Sequence, residues 1–167
     1  MVETPEIKVY QIHQKEYSVL GLETKTPNGT VGNWGARWHL FFNEGWRKQT
    51  DLYKIDHTLL GLFCQSKSGY YNYLVGAMVE GVQKIPEGMH LETFPESEYF
   101  IVTHEWVDTP DQADEQIGRI VGATHDNTIP ISEGYEKYTD PVIFIERYNY
   151  GANEKNRFEV WLAIRRK

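Results

Sequence analysis

Cysteine is nearly missing from this sequence. A single thiol, Cys64, in 167 residues excludes an intrachain disulfide and any four-thiolate metal centre built from one copy. A reducing cytoplasm fits that usage. Long apolar runs are missing too: no stretch approaches about 18 consecutive apolar residues, so no membrane partner is expected. The opening Met-Val-Glu-Thr-Pro-Glu has neither the basic nor the apolar region of a signal peptide. A soluble, unexported, cytoplasmic chain is therefore expected, and the glycosylation sequon at Asn28-Gly29-Thr30 is read as accidental. Positive charge is in deficit: 24 acidic against 17 basic side chains leave a net charge of −7, the wrong sign for gripping a phosphate backbone. Direct nucleic-acid binding is not expected.

Catalytic and cofactor motifs are scarce as well. Gly29, Gly32 and Gly35 stand between a strand and a helix, yet they form neither Gly-x-Gly-x-x-Gly nor a loop ending in Gly-Lys-Ser/Thr. The six histidines, at 13, 39, 57, 90, 104 and 125, show no His-x-His and no pair at helical spacing, so no metal site is expected. There is no Gly-x-Ser-x-Gly elbow, and Cys64 falls in an apolar run where a thiol is ordinarily buried and inert. No cofactor is implied. Aromatic side chains are abundant instead. With 5 Trp, 11 Tyr and 7 Phe, the chain has more rings than a small core readily hides, so some should line a surface or pocket.

The length fits one domain, 1–167. A strand is predicted from Tyr17, broken at Pro27-Asn28-Gly29. A helix capped by Asn33 follows, with Trp34, Trp38, Phe41 and Phe42 on one stripe and Arg47 and Lys48 at its negative end. Two β-rich runs, His57 to Cys64 and Tyr70 to Glu80, flank the polar linker Gln65 to Gly69. After Ile85-Pro86-Glu87-Gly88 the pattern restarts, with strands at Met89 to Phe94 and Tyr99 to Thr103. Thr109-Pro110-Asp111-Gln112 then has the N-cap, N1 and N3 residues of a capping box, ahead of the stripe Ala113, Ile117, Ile120 and Val121. A final β pair, Val142 to Tyr148 and Arg157 to Arg165, closes the chain. Equivalent positions recur at 82 (Tyr17 to Tyr99), 84 (Leu59 to Ile143) and 86 (Tyr73 to Glu159) residues. The expectation is an α+β fold of duplicated β-α-β-β units, about 7–84 and 85–167, related by a pseudo-two-fold axis. An antiparallel sheet should bear the helices on one face and a ligand cleft on the other.

Strand alternation assigns Phe158, Val160, Leu162 and Ile164 to the helix-covered face, together with Ile143 and Ile145. Phe144, Glu146, Tyr148, Glu159 and Trp161 are then expected on the opposite surface, with Tyr71 and Tyr73 as their counterparts from the first half. A ring-lined groove holding an acid suits a flat, apolar, cationic small molecule. The same residue types are also compatible with ordinary cross-strand pairs around a solvated Glu146.

The ordered segments Ile85-Pro86-Glu87-Gly88-Met89, Pro95-Glu96-Ser97-Glu98-Tyr99-Phe100-Ile101-Val102, Gly134-Tyr135-Glu136-Lys137-Tyr138, Ile145-Glu146-Arg147-Tyr148 and Phe158-Glu159-Val160-Trp161-Leu162-Ala163-Ile164 resemble the GyrI-like (gyrase-inhibitor-like) superfamily. That family includes the effector-binding domains of multidrug-responsive bacterial transcription activators. The resemblance implies two pseudo-symmetric units around a ligand cleft. In the drug-sensing relatives a buried glutamate there meets aromatic rings and lipophilic cations. Glu146 matches that glutamate, Tyr148 the tyrosine of a Glu-x-Tyr element, and Trp161 a position where relatives often carry a ring. Phe144, Tyr71, Tyr73, Trp38, Phe42 and Trp34 are further candidate lining residues.

The first predicted strand leaves no room for the helix-turn-helix module of the activator relatives, so a stand-alone form is expected. The resemblance then implies binding or sequestration of lipophilic, aromatic compounds. Two alternatives are hydrolysis of cyclopropane-containing DNA-alkylating compounds, with Glu146 and Tyr148 as the catalytic pair, and modulation of DNA gyrase by protein interaction. A separate regulator or gyrase as partner, and a monomer or a dimer, are left open by the residues.

Overall fold

The structure is a computed structural model that describes residues 4–27, 34–65, 70–126 and 128–167. The proposed cap at Asn33, the sequon at 28–30 and the turn 66–69 lie outside the described residues, as does the side chain of Trp34. Among the described residues thirteen elements follow one another: β1 (Ile7–Gln14), β2 (Tyr17–Pro27), α1 (Trp34–Asn43), α2 (Trp46–Asp51), β3 (Leu59–Gln65), β4 (Tyr70–Val79), β5 (His90–Phe94), β6 (Ser97–His104), α3 (Pro110–Asp114), α4 (Ile117–His125), β7 (Tyr135–Lys137), β8 (Val142–Ala152) and β9 (Lys155–Arg166). Among the described residues no helix is long and apolar enough to cross a membrane.

The strands form one antiparallel sheet in the order β1-β6-β9-β8-β3-β4-β2-β5, with β7 paired to β9. The order is palindromic: exchanging β1, β2, β3 and β4 for β5, β6, β8 and β9 reproduces it from the other end. The fold class is the expected α+β class. Two strands escaped the sequence reading. β1 sits in a polar alternation, IKVYQIHQ, and is held by pairing with β6, far along the chain, in a register that runs from Gln14↔Ser97 to Ile7↔His104. β7 is only three residues long.

The predicted capping box is present in full. Thr109 Oγ1 accepts from the Gln112 backbone N–H at 3.1 Å, and Gln112 Oε1 accepts from the Thr109 N–H at 3.0 Å. Both predicted helices are interrupted, however. The first breaks at Gly45, whose φ of 83° lies in the left-handed region. The second breaks between Asp114 and Ile117. The long loop expected between the last two strands is instead a tight hairpin, with Asn153 and Glu154 both at positive φ. This is the conformation that the two central residues of a type I′ turn require.

The sheet curls about one of its faces. Tyr17, Val19, Leu62, Leu74, Phe94, Tyr99, Ile101, Ile145 and Trp161 form a single buried cluster there. β2 and β6 are separated by four strands in the sheet, yet Tyr17 and Tyr99 meet across this face with their hydroxyls 2.7 Å apart. The other face carries the helices. α1 and α2 lie across β2 and β4, and α3 and α4 lie across β9 and β6. Phe41 of α1 packs with Val75, Tyr73 and Phe63 under the first pair, and Ile120 of α4 with Phe158, Val160 and Phe100 under the second. Full burial of a ring such as Phe41 or Phe158 contributes about 1.5–3 kcal/mol. The central strands β3 and β8 are left as the floor of a furrow between the two helix pairs.

Candidate functional site

The β8–β9 register decides what the furrow contains. Glu146 stands opposite Val160, Tyr148 opposite Phe158, Ile145 opposite Trp161, and Arg147 opposite Glu159. Directly opposed residues share a face, so Phe144, Glu146 and Tyr148 belong to the helix side with Phe158 and Val160. The sequence-based grouping of Glu146 with Glu159 and Trp161 is corrected by this register. A slip of one residue in the assumed pairing moves every side chain of a strand to the other face. The expected cleft on the face away from the helices is corrected for the same reason: that face is closed by its own core, and the rings and the acid stand between the helices.

Trp161 is 2% exposed on the closed face. Its Nε1–H donates to Glu159 Oε1 at 3.0 Å, and the Arg147 guanidinium lies 4.7 Å from its ring centroid. Glu159 also accepts from Arg157 Nε at 2.6 Å and from Asn149 Nδ2 at 3.2 Å. Arg147 in turn reaches Asp56 at 2.8 Å. Trp161 therefore belongs to a closed, compensated polar network and not to the furrow.

The furrow gathers the remaining candidates. Glu146 faces Gly61 across β3, and Tyr148 O–H donates to Glu146 Oε2 at 3.2 Å. Trp38, reaching over from α1, donates its indole N–H to the Tyr73 hydroxyl at 2.8 Å and meets the Tyr148 ring edge-on at 5.1 Å. Phe63 stacks on Phe144 at 4.4 Å and lies 4.4 Å from Tyr73. Tyr71 adjoins Phe63 at 6.1 Å. Phe42 is 48% exposed and stacks on Trp38 at the rim. From the opposite wall His125 meets Phe144 at 5.5 Å, and Phe158 meets Tyr148 at 5.3 Å.

Sequence reasoning missed Gly61, Phe63 and His125. Gly61 has a distinct steric role: a Cβ there would fall 2.3 Å from the Tyr73 hydroxyl, so only glycine lets that phenol lie across the floor. Alternation along β3 would have found Phe63. His125 carried no signal in the sequence.

Electrostatics single out one group. Burial raises the Glu146 pKa, and the Tyr148 hydrogen bond only partly offsets it. Among the described residues no cation stands at ion-pair distance from this carboxylate. The Tyr148 phenol is pushed upward by burial and by the nearby Glu146 charge, and Tyr73 likewise. Both stay protonated and able to donate. The furrow thus offers ring faces, neutral phenols and one under-served negative charge, which together complement an apolar cation.

Comparison with solved structures finds the same fold at low identity. The structure of SAV2435 bound to tetraphenylphosphonium matches with a TM-score of 0.69 and 16% identity, over 95% of this chain and 94% of that one. The Vibrio cholerae integron cassette protein VCH_CASS2 matches with a TM-score of 0.61 and 13% identity, over 98% of this chain and 100% of that one. The EcmrR C-terminal domain matches with a TM-score of 0.53 and 10% identity, over 96% and 99%. Comparison with curated proteins returns no match. The model of the Cass2 family, integron-associated effector-binding protein, matches residues 11–164. With nearly every element from β1 to β9 inside that match, the chain belongs to the Cass2 family of integron-associated effector-binding proteins, whose fold is the GyrI-like effector-binding domain.

Proposed function

We propose that the domain binds a lipophilic aromatic cation in the furrow, with Glu146 as its counter-ion and Trp38, Tyr73, Phe144 and Tyr148 as its ring contacts. The observation that carries this reading is the Glu146 carboxylate among rings, with the Tyr148 phenol beside it and no cation at ion-pair distance among the described residues. A charge withdrawn from water without a partner is costly, and a bound cation removes that cost while gaining about 0.5–2 kcal/mol from each well-placed ring face. A neutral compound of the same shape gains only the apolar contacts. The tetraphenylphosphonium bound to SAV2435 is a cation of this class and supports the choice of probe.

The furrow is further read as the seam between two copied units, about 7–84 and 85–167. Supporting this, a shift of 85 residues carries Gly61 onto Glu146 and exchanges the pair Leu59↔Tyr148 with the pair Phe63↔Phe144. The dyad of such a repeat passes through the Gly61–Glu146 pair. One half contributes empty space there and the other contributes the charge.

The test compares tetraphenylphosphonium with neutral triphenylphosphine oxide by calorimetry on the full chain. Glu146→Gln is expected to weaken the cation by about tenfold or more while leaving the oxide nearly unchanged. Equal losses for both ligands would show that the charge plays no part.

A further inference from the structure

A second cluster lies across the sheet from the furrow. In the β2–β5 pairing His90 stands opposite Gly21 and Glu92 opposite Val19, and Glu23 lies two residues along β2 from Gly21. Alternation puts all three on the face that carries Leu74, the partner of Glu23 in β4. His90 Nε2 is 2.9 Å from Glu92 Oε2 and 3.3 Å from Glu23 Oε2. One ligand atom from each residue lies within 4.8 Å of the other two.

This convergence is poorly served by hydrogen bonding alone. A ring nitrogen offers at most one N–H, and here it faces two carboxylate oxygens that repel each other. Lys25 lies 4.0 Å from the other oxygen of Glu23. One imidazole nitrogen 2.9 and 3.3 Å from two carboxylate oxygens, with all three atoms within 4.8 Å of one another, offers the donor types of an ion bound by nitrogen and oxygen at about 2.0–2.2 Å. The imidazole favours a transition ion over magnesium or calcium.

Asn72 supplies an independent sign. It is 9% exposed, its Nδ2 lies 3.3 Å from Glu23 Oε2, and its Oδ1 is buried with no hydrogen-bond partner among the described residues. The amide is aimed at the cluster and has an orphaned oxygen. A half-turn about its terminal torsion exchanges the two atoms and leaves the rest of the side chain in place. Without a cation, that orientation would set oxygen against the Glu23 carboxylate. With one, Oδ1 becomes a fourth ligand.

We propose that Glu23, His90 and Glu92, completed by Asn72 Oδ1, form a binding site for a divalent transition-metal ion of the zinc class on the face opposite the furrow. The ion ties the edge strand β5 to β2 and, through Asn72, to β4. The sequence-based expectation of no metal site looked for paired histidines. This site instead uses His90-x-Glu92 on one strand and a carboxylate 67 residues earlier.

The test titrates zinc chloride into chelator-treated full-length protein by calorimetry, with melting followed in parallel. One equivalent is expected to bind and to raise the melting temperature reversibly on addition and removal of EDTA. His90→Gln, Glu23→Gln and Glu92→Gln should each weaken zinc by about tenfold or more. Each variant's metal-free circular dichroism and melting confirm its fold. Cys64→Ser and His57→Gln should bind zinc as the parent does. The proposal is overturned by the absence of saturable zinc uptake, by uptake that the three ligand variants do not change, by loss of uptake in Cys64→Ser, or by a preference for magnesium over zinc.

Discussion

Two glutamates thirteen residues apart show how the same side chain serves opposite ends. Glu159 is 1% exposed and reached by Arg147, Arg157, Asn149 and the Trp161 indole, so its charge is fully answered. Glu146, on the neighbouring strand, has one phenol among the described residues. Burial holds its pKa above the ordinary carboxylate value of 4.5, so the folded state keeps a proton that the unfolded chain releases. Stability is therefore full below that ordinary value and declines as pH rises through the raised one. Glu146→Gln has no such proton to lose. Urea unfolding across pH 4 to 8 should show the parent losing stability with rising pH relative to this variant, which should be the more stable of the two at neutrality. Parallel pH profiles would refute the claim that an uncompensated charge sits in the furrow. A residue that costs stability where it could be replaced at no packing loss is the kind expected of a binding site.

At the scale of elements, what the sequence revealed depended on whether the signal was local. The α3 cap is local: Thr109, Pro110 and Gln112 determine it within four residues, and the structure reproduces both of its hydrogen bonds. Thr109→Ala removes the acceptor for the Gln112 N–H and should cost about 1 kcal/mol, measured as a shift in the urea midpoint with unchanged slope. No shift would mean that tertiary packing alone holds the α3 start. The positions of β2, β3, β4, β6, β8 and β9 were legible from β-rich runs for the same reason. β1 was not, since its partner β6 lies in the other half of the chain and its own alternation is polar. The arrangement of the candidate site was half legible. Composition pointed to rings around Glu146, and the candidates Trp38, Phe42, Tyr71, Tyr73, Phe144 and Tyr148 do gather on the furrow face. Their face relative to Trp161 was not legible, because the register depends on the tight turn at Asn153 and Glu154, and the eight residues of that connection read as a loop.

For the whole molecule, the curl of the sheet separates two tasks. The inner face is closed by contacts between strands far apart in sheet order, and on the outer face the two helix pairs lie over β2 and β4 and over β6 and β9, on either side of β3 and β8. The Tyr17–Tyr99 hydroxyl pair is where the closure can be probed, since both phenols are buried, their hydroxyls are 2.7 Å apart, and they rise from strands separated by four others. Tyr99→Phe leaves the Tyr17 hydroxyl buried without its partner and should cost about 1–3 kcal/mol. Tyr17→Phe should do the same from the other side. Removing both hydroxyls removes the orphan along with the bond, so the double variant should recover much of the loss, a coupling that a double-mutant cycle in urea reads directly. If the two faces work independently, tetraphenylphosphonium affinity measured well below the unfolding midpoint should be unchanged in all three variants. Affinity falling in step with stability would instead show that the furrow takes its shape from the closure of the inner face, and that the strands β3 and β8 transmit strain from one side of the sheet to the other.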